Sequence, residues 1–486
     1  MSATSLHIRP PGVFTLDTRW SLIIPISIGA FIVIGETPFH SVAWSALIAS
    51  VSCVLVFASA RFKLYSFVTL AGFGHLVFYP IAAFSNLLLE YPVVREDLWE
   101  SADLAMWGCA IGCVGLALGT YLSRRIRIDT RKRISINTAS SMLYNCVIYS
   151  CLPVAVVLML ILGVYYHGAI SSDFQFKNAI YLNALNILNW IGYTGIFLQV
   201  RRYYITKSKL DAVVSVLMVF FAIVMYVPSG SRGSAILFLP LLIPFLFNFE
   251  KNNAIKVMLL SVAIIVLIVI TVVLGYYRDM HIKGLSEIKE GYSAIEEASV
   301  IGLESKDASL ALTVNRFSDF VATGRIIDYT PKVFPYRGLE GVFNWWQMFV
   351  PGFLRPDLTI MYDGAIQTDK YGVSPPIGAS TTVMIIGDLF SRGGWILVFV
   401  GMVFIGYLLG LLDNIILIKD SIFSVVFFVL YGRGVYLIYC SSLLDVFILL
   451  SREFILMYLL SYILYRLSFV IIRYNNKTHY NSFYVA

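Results

Sequence analysis

Val257-Met-Leu-Leu-Ser-Val-Ala-Ile-Ile-Val-Leu-Ile-Val-Ile-Thr-Val-Val-Leu-Gly-Tyr-Tyr277 runs without a single charge and then meets Arg278-Asp279. At a rise of about 1.5 Å per residue, a stretch of this length crosses the roughly 30 Å hydrocarbon core of a bilayer as an α-helix. The next hundred or so residues are different in kind. From about Arg278 to Thr382 the chain is polar, with ten Lys/Arg against thirteen Asp/Glu and a tryptophan pair at Trp345-Trp346. A lipid-soluble run that opens onto a long polar segment predicts one large loop on one side of a membrane. That loop is where recognition or chemistry has polar material to work with.

The rest of the chain supports the membrane reading. Of 486 residues, 58% are hydrophobic and 13% charged, whereas an ordinary soluble domain carries roughly 25% charge. Lipid offers the backbone no hydrogen bonds, so spans must be helices or a closed barrel. The apolar runs here are continuous rather than alternating, which predicts helices. Twelve spans are expected, near 20–35, 39–60, 64–85, 102–122, 142–164, 183–200, 210–228, 234–249, 257–277, 393–412, 421–439 and 453–472. The chain then divides into four parts: helices 1–9 over 1–277, a long loop over 278–392, helices 10–12 over 393–472, and a tail over 473–486. The N-terminal segment up to Asp17 lacks the pattern of a cleavable signal, so the first span is expected to stay as an anchor.

Cationic loops orient such a chain. With even-numbered spans ending inside, the inner segments and N-terminal tail hold 19 of the 36 Lys+Arg, and the short outer loops hold four: Arg95, Lys177, Arg232 and Arg452. Both termini are therefore expected in the cytoplasm and the long loop outside. The net charge of +7 is accounted for by this topology and by attraction to anionic lipid heads; it does not imply nucleic-acid binding. The six cysteines all fall in or at expected spans. They form neither a disulfide framework nor a C-x-x-C zinc pattern. No histidine spacing suggests a metal, and P-loop, Gly-x-Ser-x-Gly and Asp-x-Asp motifs are absent, so neither metal nor cofactor is expected.

Within the long segment, Glu287 to Leu303 and Ala308 to Tyr329 have the charge and apolar spacing of amphipathic helices, and Phe343-Asn-Trp-Trp-Gln-Met-Phe-Val350 suits a headgroup-level edge. Arg232 lies in the hairpin Pro228-Ser-Gly-Ser-Arg-Gly-Ser234, whose glycines allow backbone N–H groups to approach a phosphate beside a guanidinium fork; a snorkelling arginine is the alternative. Arg278 is a ligand or an interface anchor. Arg316 is a ligand or part of a solvated helix face. Arg355 comes after the Trp-rich stretch in Pro351-Gly-Phe-Leu-Arg-Pro356. Arg433, flanked by Gly432 and Gly434 inside a span, needs a partner or a polar cavity, and Asp445 is the candidate for a cavity ion pair. Asp388, in Gly387-Asp-Leu-Phe-Ser-Arg-Gly-Gly394, could accept a proton, orient an arginine or cap a helix. Outward arginines without a metal motif suit a lipid-linked diphosphate, which arginine binds bidentately and stabilises as a leaving group.

In this order and topology the chain resembles the bacterial O-antigen polymerases, the Wzy-type oligosaccharide repeat unit polymerases. Gly230-Ser-Arg-Gly233 resembles that family's arginine hairpin, and Tyr277-Arg278 its aromatic-arginine start of the loop. Arg316-Phe-Ser318 resembles its loop-helix Arg-x-Ser, and Val350 to Pro356 its Pro/Arg stretch. The Gly387 to Gly394 segment resembles its acidic, Gly-rich approach to the next span. Two details depart: Asp388 stands where glutamate is commoner, and Pro351 and Arg355 are separated rather than adjacent. The resemblance implies a GT-C-like, all-α polytopic protein of the bacterial inner membrane. Its donor and acceptor would be undecaprenyl-diphosphate-linked oligosaccharides, joined by inverting glycosyl transfer in the periplasm into O-antigen or capsule, with a chain-length regulator protein as partner. Arg232, Arg278, Arg316 and Arg355 would hold the diphosphates, with Asp388 and Arg278 catalytic. An O-antigen ligase would be expected to carry a histidine late in the loop, where this chain has only His281 at the start. A flippase or transporter would be expected to show internal repeats, and none is seen.

Overall fold

The computed structural model describes residues 40–63, 65–87, 98–125, 151, 154–155, 157–158, 179–226, 320–342, 370–371, 384–417 and 422–464. Among these residues the structure is helical throughout, without strands, as a chain of uninterrupted apolar runs requires. Helix α1 is His40–Ser59. Helix α2 covers Phe67–Leu87 and is interrupted by a π-turn at Val77–Ile81 that contains Pro80, whose missing N–H such a widened turn accommodates. Helix α3 is Trp99–Ser123, α4 Ala179–Thr206, α5 Lys209–Tyr226 and α6 Phe320–Tyr329. Helix α7 is Ile385–Leu412, α8 Ile422–Tyr436 and α9 Leu443–Ile448, which runs on through a π-turn to residue 464.

Five stretches are long and apolar enough to cross a membrane: Ser41–Ser59, Phe67–Leu87, Trp99–Ser123, Ile385–Ile416 and Phe423–Cys440. They fall on expected spans 2, 3, 4, 10 and 11. Helices α4 and α5 fall on expected spans 6 and 7. Expected spans 1, 8 and 9 lie outside the described residues, and span 5 nearly so. Side chains such as Trp44, Val51, Leu55, Ile396 and Val400 are exposed on the helix surfaces, which suits faces turned to lipid.

The centre of the bundle is the parallel pair α3 and α7, and it is built on missing side chains. A Cβ on Gly119 would lie 1.9 Å from the Val403 carbonyl, and one on Gly406 2.1 Å from that of Leu116. Small residues one turn apart let backbones approach where lipid provides no hydrophobic drive between helices. The close packing also exposes polar backbone to a partner, and Thr120 Oγ1 donates to Leu116 O (2.8 Å) and lies 3.3 Å from Gly406 O.

At the Ser123 end, Ser66 Oγ and the Phe67 N–H both donate to Asp413, at 2.5 and 2.8 Å. Asp413 thereby supplies an acceptor to the first turn of α2, where backbone donors have no intrahelical partner. At the opposite end, α6 lies across the start of α3. A Cβ on Gly324 would stand 1.7 Å from the Ser101 carbonyl, so the two backbones touch there. The amphipathic helix expected over Ala308 to Tyr329 is therefore described from Phe320 onward, docked by its apolar face: Phe320, Val321, Ile326 and Ile327 are buried.

The last span differs from expectation. The sequence places Arg452 in a short loop before a helix at 453. In the structure the helix begins at Leu443, after two extended residues, Ser441 and Ser442. The start is set by a capping box: Ser442 Oγ accepts from Asp445 N–H, and the Asp445 carboxylate accepts from Ser442 N–H at 3.0 Å. Two reciprocal hydrogen bonds at a helix start outweigh the local charge of Arg452 as a boundary signal.

Candidate functional site

Helix α7 is two helices in one. After Arg392 the backbone breaks at Gly393 and Gly394, and Gly394 has φ +66° and ψ −159°, a conformation open in practice only to glycine. The break leaves carbonyls at the end of the first piece without helical partners. The segment after α6 supplies them: Arg337 N–H donates to Ser391 O at 2.8 Å, and Gly338 N–H to Arg392 O at 3.1 Å. Arg392 returns the contact, its Nη1 donating to Glu340 O at 2.7 Å and approaching Gly338 O at 3.3 Å. Residues 337–340 are thus stitched to the first piece of α7 by backbone and side chain together.

Asp388 sits one turn before Arg392 and is fully buried. Its Oδ2 accepts from Arg392 Nε at 2.9 Å and from Leu443 N–H at 2.8 Å. Its Oδ1 lies 3.6 Å from Arg337 Nη1. Of the three roles open from the sequence, a cap on its own helix is excluded, because the N-cap is Met384 and has no side-chain cap. Asp388 instead places its carboxylate at the N-terminus of another helix, α9, where unpaired N–H groups and the helix dipole favour an anion. Physically it holds two guanidiniums and a helix start in one place. Arg392 is as buried as Asp388, with 1% of its side chain exposed, whereas Arg337 keeps 13%.

Further charges stand around this node. Lys370 lies close enough to Arg337 to feel its charge, and burial followed by Arg337 pulls the Lys370 ammonium below its usual range, with Glu340 opposing. Among the described residues, Arg337, Arg392 and Lys370 thus stand with Asp388 and Glu340. Lys370 also stands 4.8 Å over the Phe334 ring, within cation–π range. Tyr371 hydrogen-bonds Thr330 Oγ1 at 3.0 Å; burial pushes its phenol up and that bond offsets part of the shift. Phe390 packs against Trp395 at 4.7 Å and Tyr336 at 6.4 Å. The result is an aromatic-edged end of the bundle that carries Arg337, Arg392 and Lys370.

Of the residues singled out from the sequence, Asp388 is at this node. Arg433 is on α8, and it and Asp445 both act electrostatically on Glu453, so the three charges share one neighbourhood beside α9. The carboxylate of Asp445 is engaged by Ser442 N–H and Oγ. Arg232, Arg278, Arg316 and Arg355 lie outside the described residues. Sequence reasoning missed Arg337 and Lys370, which stand in no motif. Arg392 was inside the quoted Gly387 to Gly394 stretch, and its i,i+4 spacing from Asp388 was the available signal.

Comparison of the chain with protein-family models, with curated proteins and with solved structures finds no match.

Proposed function

We propose that the chain is a membrane glycosyltransferase that polymerises undecaprenyl-diphosphate-linked oligosaccharide repeat units into a surface polysaccharide, O-antigen or capsule, on the periplasmic face of the bacterial inner membrane. In this reading it has twelve spans of GT-C-like type, with both termini in the cytoplasm and 278–392 in the periplasm. The observation that carries the reading is the Asp388 node: a buried carboxylate that positions Arg337 and Arg392, with Lys370 in electrostatic range, where a docked segment meets the ends of apolar helices. Such a place accepts a diphosphate while the bilayer holds the polyprenyl tail, which lowers the entropic cost of bringing donor and acceptor together.

The reaction forms a bond between a hydroxyl oxygen of the acceptor's non-reducing end and the anomeric carbon of the donor. It breaks the bond from that carbon to the diphosphate, which leaves with its charge, and the hydroxyl proton passes to the departing diphosphate or to water. Arg232, Arg278, Arg316 and Arg355 hold the two diphosphates, and Arg278 also meets the developing charge. Guanidiniums fixed in advance stabilise that charge without reorganisation. Asp388 keeps Arg337 and Arg392 aimed. A chain-length regulator protein is the expected partner.

The test is to delete the gene and separate the surface polysaccharide on a gel. Loss of a polymerase leaves single repeat units attached to the core. Loss of a ligase leaves long lipid-linked polymer and no attached repeat, and loss of a flippase leaves no outward-facing repeat; either outcome overturns the proposal. Arg232→Ala should reproduce the deletion pattern with protein level unchanged, and normal long chains in that variant would remove Arg232 from the site.

A further inference from the structure

Three cysteines far apart in the chain meet in the core. Cys53 lies on α1, and Cys109 and Cys113 are one turn apart on α3; all three are fully buried. Their sulfurs lie within 4.8 Å of one another, with Cys53 to Cys113 at 3.6 Å and Cys109 to Cys113 at 4.0 Å. A metal ion held by thiolates at about 2.3 Å places its sulfurs about 3.8 Å apart. The two separations bracket that value, and both exceed the roughly 2.05 Å of a disulfide.

A further donor stands outside this cluster on a third helix. His75 of α2 is fully buried and close enough to Cys113 for their charges to interact. Its Nδ1 lies 2.9 Å from the Ala71 carbonyl, and because a carbonyl can only accept, Nδ1 carries the proton. Nε2 is then a bare lone pair, buried and with no hydrogen-bond partner among the described residues. A histidine oriented through Nδ1–H by a backbone carbonyl, with Nε2 left open, is the usual arrangement of a metal ligand.

We propose that Cys53, Cys109 and Cys113 form a site for a thiophilic d10 cation such as Zn2+, with His75, which stands outside the three-sulfur cluster, as the ligand that closes the set when the ion binds. Binding replaces three thiol protons, which are released, and involves no change of oxidation state. The site ties α1, α2 and α3 together inside their candidate spans. It also joins the far end of the bundle: His75 stacks on Tyr79 at 6.0 Å, and Tyr79 reaches Thr323 Oγ1 of the docked helix α6 at 3.4 Å. The sequence concealed this cluster because Cys109-x-x-x-Cys113 has helical rather than C-x-x-C spacing and Cys53 comes from another helix.

The experiment uses the full chain purified in detergent without metal-affinity resin, incubated with Zn2+, washed free of unbound metal and assayed by plasma mass spectrometry. About one zinc per chain is expected. Co2+ in its place should show a thiolate charge-transfer band and tetrahedral visible bands. Cys53→Ala, Cys109→Ala and Cys113→Ala should each lose the metal while Cys151→Ala retains it, and His75→Gln should weaken binding about tenfold or more against a competing chelator. Wild-type protein that retains no zinc overturns the proposal whatever the variants do. So does zinc that survives in the cysteine variants, or a Cys53–Cys113 disulfide found by non-reducing peptide mapping.

Discussion

The two ion pairs of Asp388 differ in a way that a double-mutant cycle can read. Asp388 and Arg392 meet at 2.9 Å with both side chains at 1% exposure or less, whereas Arg337 stands 3.6 Å away with 13% of its side chain exposed. Asp388→Asn preserves shape and can still accept from Leu443 N–H, so it removes charge and little else. It leaves two guanidiniums without their shared carboxylate, and removing one partner of a buried pair costs about 3–5 kcal/mol. Arg392→Met leaves Asp388 with Arg337 and the α9 N-terminus, and should cost less, about 2–3 kcal/mol. The double variant should be little worse than Asp388→Asn, giving a coupling energy of about 2 kcal/mol or more; the Arg337→Met cycle should give about 1 kcal/mol or less. The assay is reversible unfolding in mixed detergent and dodecyl sulfate, monitored by circular dichroism, on all six proteins. Near-additive Asp388 and Arg392 variants, or stronger coupling to Arg337, would show that the node is not organised around the Asp388–Arg392 contact.

Three further outcomes are expected from the same packing and charges. Gly324→Ala places a Cβ 1.7 Å from the Ser101 carbonyl, against about 3.4 Å for ordinary contact, so α6 must lift from α3 at a cost of about 1–3 kcal/mol; a thermal midpoint in detergent equal to wild type would contradict the docking. Gly394→Ala forces φ +66° on a residue with a side chain and places its Cβ 3.0 Å from Tyr336 Oη. The cost is about 1–3 kcal/mol and resides in the backbone, so Tyr336→Phe should not rescue it, and full rescue by that change would refute the backbone explanation. Lys370 is held below its usual range by burial and by Arg337. The unfolded chain therefore binds more protons between the folded and the ordinary lysine values, and stability should rise with pH across that interval. Arg337→Gln should flatten this slope, and an unchanged slope in pH-dependent unfolding would detach Lys370 from Arg337.

The helices were legible because apolar length alone selects them, and α1, α3 and α7 fall on expected spans. Their internal breaks were less so. Gly393-Gly394 marks a break in any sequence, and the expected start of the tenth span at 393 coincides with it. The start of α9 was hidden, because Arg452 looked like a loop cation and the capping box at Ser442-x-x-Asp445 carries aspartate where the usual signature has glutamate or glutamine. Asp388 was found because an acid beside glycines at a span boundary is rare. Its partners were not all visible. Arg392 is local, but Arg337 reaches the node only because α6 docks on α3, a contact that depends on Gly324 fitting against Ser101 and has no periodicity to announce it. The cysteine cluster was hidden for the same reason, since its sulfurs come from separate helices.

The two helix breaks and the carboxylate belong to one physical problem. The Gly393-Gly394 break strands carbonyls at the end of the first piece of α7, and the extended residues Ser441 and Ser442 strand N–H groups at the start of α9. Beside lipid such groups must find protein partners. Residues 337 and 338 supply the N–H donors, and Asp388 supplies the acceptor. Burying Asp388 for that purpose requires a counter-charge, which Arg392 provides at close range. Arg337 is the more exposed guanidinium, the more distant, and the one with Lys370 in electrostatic range. A node assembled to satisfy the backbone therefore holds a second guanidinium at its more exposed edge. On the proposed function, a diphosphate arriving there would meet a guanidinium already held by Asp388 and would not have to supply the energy to order it.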